Sequence, residues 1–101
     1  MSLTINKIQN AMQTMVSLSG RLDTTTAPEL EAQLRVLLPD TSALVLDFAA
    51  LGYISSAGLR VLLVAQKEMN KKKGQLSLVH VNSDVMEVLE MTGFSDILTI
   101  A

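Results

Sequence analysis

The sequence predicts an α/β fold: a mixed sheet of four to five strands layered with three helices, in the order β-β-α-β-α-β-α-β. Three observations carry that prediction. Apolar and polar residues alternate over the first twenty positions, the period of half-buried strands. Two later apolar runs, "ALVLDF" and "QLSLVHV", read as covered strands. Between and after them lie helical patterns bounded by capping residues, Pro and Gly. Strands alternating with helices indicate a sheet layered with helices. At 101 residues the chain is expected to form one domain, spanning residues 1–101, with a single core.

The first two strands are "TINKIQ" and "MQTMVSLSG", joined at Asn10-Ala11 by a hairpin turn. Met15, Val16 and Leu18 mark the second as the more buried. The first helix lies within "RLDTTTAPELEAQLRVLL". Thr26 and Glu29 have capping-box spacing, and Pro28 falls in the first turn, where a missing N–H does no harm. Leu30, Leu34, Val36, Leu37 and Leu38 supply its apolar face, and Pro39-Asp40 ends it. "ALVLDF" is the central strand, and a long helical pattern runs from Ala57 to about Lys72. Leu59, Leu62 and Leu63 form a stripe toward the sheet. Val61 and Val64 have two readings, packing against a neighbouring helix or an exposed apolar face for a partner. Lys71-Lys72-Lys73 before Gly74 suits a helix C-terminus and its stop signal, the alternative being an anion-binding patch. "QLSLVHV" is the next strand. Asn82 or Ser83 caps a helix through "DVMEVLEMTG", which Gly93 terminates, and "DILTI" is a last short strand.

Composition removes several function classes. Hydrophobic residues make up 49% of the chain with only two Phe and one Tyr, so aliphatic side chains must build the core. The absence of cysteine excludes disulfides, thiolate metal sites and cysteine nucleophiles. A formal net charge of -2 argues against nucleic acid as a partner, because phosphate binding needs a basic surface. No apolar run reaches the roughly 18 residues of a membrane span. The opening "MSLTINKIQN" lacks the regions of a signal peptide, so the chain is expected in the cytosol, away from membranes.

One stretch concentrates the chemistry. "GYISSAGLR", residues 52–60, sets two serines between a strand and a helix. A nucleophile elbow needs glycine on both sides, and Ser56 has Gly58 on one side but Ile54 on the other. The single histidine, His80, reads as a structural side chain inside an apolar strand. Asp23, Asp47, Asp84 and Asp96 fall in different segments without metal-ligand spacing, and no glycine-rich phosphate loop is present. The chain is therefore not expected to be an enzyme or to hold a cofactor or metal. Ser55 or Ser56 is expected to be a helix N-cap. A helix N-terminus also tolerates a phosphate, since its N–H groups are free and its dipole end is positive. Gly58 in the first turn costs helix stability but opens access to the backbone.

Two segments are similar to a known family. "LSGRLDTTTAPEL", residues 18–30, resembles the strand, Gly-x-Leu-Asp turn and helix of bacterial anti-sigma factor antagonists, which are STAS domains. "LDFAALGYISSAGLRVLL", residues 46–63, resembles their phosphoacceptor region, and residues 74–100, with Thr92-Gly93-Phe94, resemble their last strands and helix. The resemblance implies a regulator that is itself phosphorylated and carries out no catalysis. Unphosphorylated, it binds an anti-sigma factor that is also a serine kinase, and so releases a sigma factor. A serine phosphatase reverses the modification, and ATP belongs to the kinase. The phosphorylated serine falls on Ser56. The acid of the turn falls on Asp23, implied to lie near Ser56 and expected to act in the interaction and not in the fold. Ser55, Gly58, Leu59 and Arg60 complete the implied partner-binding set. Ser55 stands where aspartate is usual, Ala57 replaces a common serine or threonine, and Arg21 replaces a frequent glutamate. The same fold also serves as a permanent, unphosphorylated scaffold subunit, for example of a lipid-transport complex.

Overall fold

The computed structural model describes residues 3–9 and 13–101. Five strands form one sheet in the order β1-β2-β3-β4-β5. These are β1 (Leu3–Gln9), β2 (Thr14–Leu22), β3 (Ala43–Ile54), β4 (Gln75–Val79) and β5 (Thr99–Ile100). Helices α1 (Ala27–Leu37), α2 (Ser56–Lys71) and α3 (Ser83–Met91) connect the parallel strands. β1 and β2 are antiparallel, pairing Leu3 with Gly20 through Gln9 with Thr14. All other pairings are parallel. The turn expected at Asn10-Ala11 lies outside the described residues.

One face of the sheet is covered. Val16 and Leu18 of β2, Leu44, Leu46 and Phe48 of β3, and Leu76 and Leu78 of β4 are buried in the same core as Leu30, Leu62 and Leu89 of the three helices. Met15, Ser17, Val45, Asp47, Ser77 and Val79 alternate with them and are only half-buried on the opposite face.

β3 runs six residues further than "ALVLDF" suggests, because its alternation is broken and not ended. The pairing shifts between Ser17 and Ser19, and again between Gly20 and Arg21, so β3 holds an extra residue at each point. The Asp47 carboxylate accepts the Ala49 N–H at 2.9 Å beside the first bulge. β3 therefore keeps pairing with β2 as far as Leu22 opposite Ile54. The last strand is shorter than "DILTI": Phe94–Asp96 form a 3₁₀ turn, and only Thr99–Ile100 pair with β4.

The helices follow their apolar spacing with two corrections. Leu30, Leu34 and Leu37 are buried at i, i+4 and i+7, whereas Val36 falls off that stripe and is 71% exposed. In α2, Leu59, Leu62, Ala65 and Met69 face the core, and Leu63 is half-buried. Val61 is also buried, but Val64 is 44% exposed.

The α2 C-terminus stops by a Schellman arrangement. The Gly74 N–H reaches the Met69 carbonyl at 2.8 Å, and that of Lys73 reaches Asn70 at 3.1 Å. The left-handed residue is Lys73, at φ +60°, and not the expected Gly74. Glycine is required at 74 for space, since a Cβ there would lie 2.8 Å from Met69 Cε and 2.9 Å from the Ser42 carbonyl. Gly93, at φ +82°, does terminate α3 in the left-handed region, and Asn82 caps its start by accepting the Val85 N–H at 2.9 Å.

Candidate functional site

Parallel pairing brings two turns side by side. β2 ends at Leu22 and β3 at Ile54, and these residues are register partners. The Ser55 N–H extends the ladder by one bond, donating to the Leu22 carbonyl at 2.9 Å. The Asp23 turn and the Ser55-Ser56 turn therefore leave the same edge of the sheet, from neighbouring strands.

The Asp23 turn is closed from within. Asp23 Oδ1 accepts the N–H groups of Thr25 at 3.0 Å and Thr26 at 3.1 Å, and the Thr25 hydroxyl at 2.8 Å. The Asp23 main-chain carbonyl accepts the Ala27 N–H at 2.8 Å. Thr26 is not the capping side chain its spacing with Glu29 suggests. Its backbone lies near the helical region (φ -99°, ψ -21°), and its hydroxyl donates to the Arg21 carbonyl at 2.8 Å and accepts the Asp23 N–H at 2.8 Å. The Asp23 carboxylate instead closes the turn that precedes α1, a bonding role beside the part in the interaction expected of it. The Thr25 hydroxyl, followed by the N–H groups of Thr26 and Thr25, holds the Asp23 pKa down to about 2. Arg21 lies 4.1 Å above the Tyr53 ring and 3.7 Å from the Asp23 carboxylate. Its charge is engaged with an aromatic face and an acid.

The serine turn divides its two hydroxyls. Ser55 has extended backbone (φ -103°, ψ 175°) and accepts the Gly58 N–H at 3.4 Å, so it is the N-cap. Ser56 is the first helical residue, and it is exposed. No hydrogen bond engages its hydroxyl among the described residues. Gly58 and Leu59, expected in the partner-binding set, are buried. A Cβ on Gly58 would lie 2.7 Å from Leu22 Cγ and 3.0 Å from Ile54 Cγ1. This glycine thus serves close packing of α2 on the ends of β2 and β3, and not backbone access. Arg60, one turn after Ser56, is exposed.

A family model for the STAS domain matches residues 2–101. The chain belongs to the STAS domain family. It is 37% identical over its whole length to a candidate anti-sigma factor antagonist, BtrV, of Bordetella bronchiseptica, covering 86% of that protein. To the anti-sigma-B factor antagonist of Bacillus subtilis it is 27% identical, covering 93% of that chain. Among solved structures, an anti-sigma factor antagonist from Mycobacterium paratuberculosis superposes with a TM-score of 0.87. There the identity is 26%, over 97% of this chain and 84% of the other.

Away from the site, this STAS domain holds a pair that periodicity did not reveal. His80 lies outside β4, at φ +58°, with an exposed ring and not inside an apolar strand as its neighbours suggest. Its Nδ1 is 2.9 Å from Asp47 Oδ1. The Ala49 N–H, followed by His80, lowers the Asp47 pKa. Asp84 and Asp96 are exposed and remain apart from this pair in sequence and in element. Among the described residues, no three His, Cys, Asp or Glu side chains form a metal-holding group, and no helix is long and apolar enough to cross a membrane.

Proposed function

We propose that this STAS domain is an anti-sigma factor antagonist switched by phosphorylation of Ser56. Unmodified, it binds an anti-sigma factor that is also a serine kinase, and a sigma factor is released. The kinase holds ATP. The Ser56 hydroxyl oxygen attacks the γ-phosphorus, a new O–P bond forms, the bond to ADP breaks, and the hydroxyl proton passes to a base of the kinase. The phosphate adds about -1.5 to -2 charges to the docking face and ends the complex. A serine phosphatase restores the hydroxyl. Sigma factors act in the cytosol, so this role belongs there.

The observation that carries this reading is the division between the serines: Ser55 caps α2, while Ser56 offers an exposed hydroxyl at the helix start. A phosphate on Ser56 leaves the cap in place and meets the positive end of the helix dipole. The names of the relatives support the same role. Arg60 is the exposed partner contact of the set, whereas Asp23, Gly58 and Leu59 contribute by shaping the surface on which Ser56 sits.

The test uses the purified chain and its purified anti-sigma factor. Incubation with ATP should place one phosphate on Ser56 by peptide mapping, and Ser56→Ala should abolish it. Ser56→Asp should weaken binding tenfold or more, about 1.4 kcal/mol, while Ser56→Ala binds as tightly as the wild type. Labelling on Ser55 instead would overturn the assignment. Equal binding by both Ser56 variants would end the switch and favour a permanent scaffold.

A further inference from the structure

A cleft runs between α1 and α2 and joins the Ser56 face. Its near part lies between Pro28 on α1 and Ala57 and Arg60 on α2, beside the phosphoacceptor turn. The far part, about 580 Å³, ends at Leu38, Lys71 and Lys72. Glu31, Val61 and Val64 line both parts, so the surface is continuous. Between Ser56 and Lys71 it follows about 22 Å of helix.

The floor is apolar and partly open. Leu34, Val61 and Ala65 are buried residues at its base, and the exposed Val64 stands at the middle. The rim is basic on an acidic protein. Four of the chain's eight Lys and Arg residues line the cleft: Arg35, Arg60, Lys71 and Lys72. Only two of its ten acidic residues do so, and both already have cations. Glu31 meets Arg35 at 3.4 Å, and Glu68 meets Lys71 at 3.8 Å. Lys72 Nζ donates to the carbonyls of Leu38 and Pro39, fixing a positive charge at the far end. An apolar trough flanked by surplus positive charge complements a segment that is apolar on one side and acidic on the other.

We propose that this cleft is a second docking surface for the anti-sigma factor, and that an acidic amphipathic segment of that partner occupies it from the Ser56 end to Lys71. The inference rests on the reading of the chain as an anti-sigma factor antagonist. It adds an anchor that the phosphate does not touch. Contact at the Ser56 end makes binding sensitive to phosphorylation, and the far end supplies apolar area and salt-dependent attraction.

The experiment is calorimetry with the purified anti-sigma factor, at low and high salt, on wild type, Val64→Glu, Lys71→Glu and Ser56→Asp. Val64→Glu should weaken binding about tenfold or more by placing a like-signed charge against the acidic segment and burying it in the trough. Lys71→Glu should weaken it about threefold or more at low salt and less at high salt. Lys71 is exposed and outside the core, so it keeps the test informative should Val64→Glu disturb folding. Wild-type affinity in both cleft variants, with Ser56→Asp weakened, would overturn the cleft and leave the switch standing. Loss in Val64→Glu with none in Lys71→Glu would overturn an occupant that reaches the far end. No effect from any variant, Ser56→Asp included, would remove both proposals. A dimer of this chain that Val64→Glu dissociates would assign the cleft to a second copy and overturn the proposal.

Discussion

The Asp23 turn and the Ser55-Ser56 turn start from paired residues on neighbouring strands and both feed a helix, yet they use their oxygens differently. Asp23 directs Oδ1 inward, to the N–H groups of Thr25 and Thr26 and the Thr25 hydroxyl. The serine turn separates the tasks: Ser55 caps, and Ser56 keeps an exposed hydroxyl. The Asp23 Oδ1 holds the shape of its turn, whereas the Ser56 hydroxyl is relieved of structural work by the neighbouring Ser55 cap.

The comparison breaks most severely at the residue that packs the two turns together. Gly58→Val should destabilise the fold by about 1–3 kcal/mol, because its side chain enters the space held by Leu22 and Ile54. Thermal melting should show a loss of several degrees, at about 4–8 °C per kcal/mol for a domain of this size. A Gly58→Val protein melting with the wild type would mean that α2 does not sit against the strand ends.

Asp23 comes next. Asp23→Ala removes the carboxylate's bonds to Thr25 and Thr26, leaving the main-chain bonds of the turn, and should lower the melting temperature more than the loss of the Ser55 cap does. The pH dependence sharpens this. The folded pKa, about 2, lies below the ordinary 3.8, so the folded state binds the proton less readily than the unfolded chain. The resulting stability is fully present above pH 3.8 and is lost as the pH falls toward 2. Asp23→Asn should flatten the melting curve across that window while leaving Oδ1 to accept the same N–H groups. An unchanged pH profile in Asp23→Asn would remove the turn carboxylate from the stability of the domain.

The smallest effects lie in the serine pair. Ser55→Ala should cost about 0.5–1 kcal/mol, the lower part of the range for an N-cap, since its bond to the Gly58 N–H is 3.4 Å long. Ser56→Ala should remain within about 0.5 kcal/mol of the wild type, as for an exposed residue without a partner. Chemical denaturation of the two variants reads the difference directly. A larger loss in Ser56→Ala would reverse the assignment of cap and free hydroxyl.

Much of this protein follows from neighbours within a few residues. The spacing of Leu30, Leu34 and Leu37, the cap at Asn82 and the left-handed stop at Gly93 are local choices, and their side chains announce them. A helix start at the serine pair is legible for the same reason, serine being a favoured N-cap, while the choice of Ser56 comes from the resemblance and not from local spacing. Other features depend on strands far apart in sequence. Two bulges carry β3 on to Ile54, and they exist only in the pairing with β2. Both serines can cap equally well, and Ser55 does so because its N–H continues the ladder to the Leu22 carbonyl. Gly58 reads locally as a flaw in a helix, and its reason is Leu22, 36 residues earlier in the chain. His80 meets Asp47, and Val61 and Val64 face a cleft, through contacts that no periodicity encodes. Backbone preference acts over one turn of chain, while close packing and cross-strand hydrogen bonds join residues thirty or more positions apart.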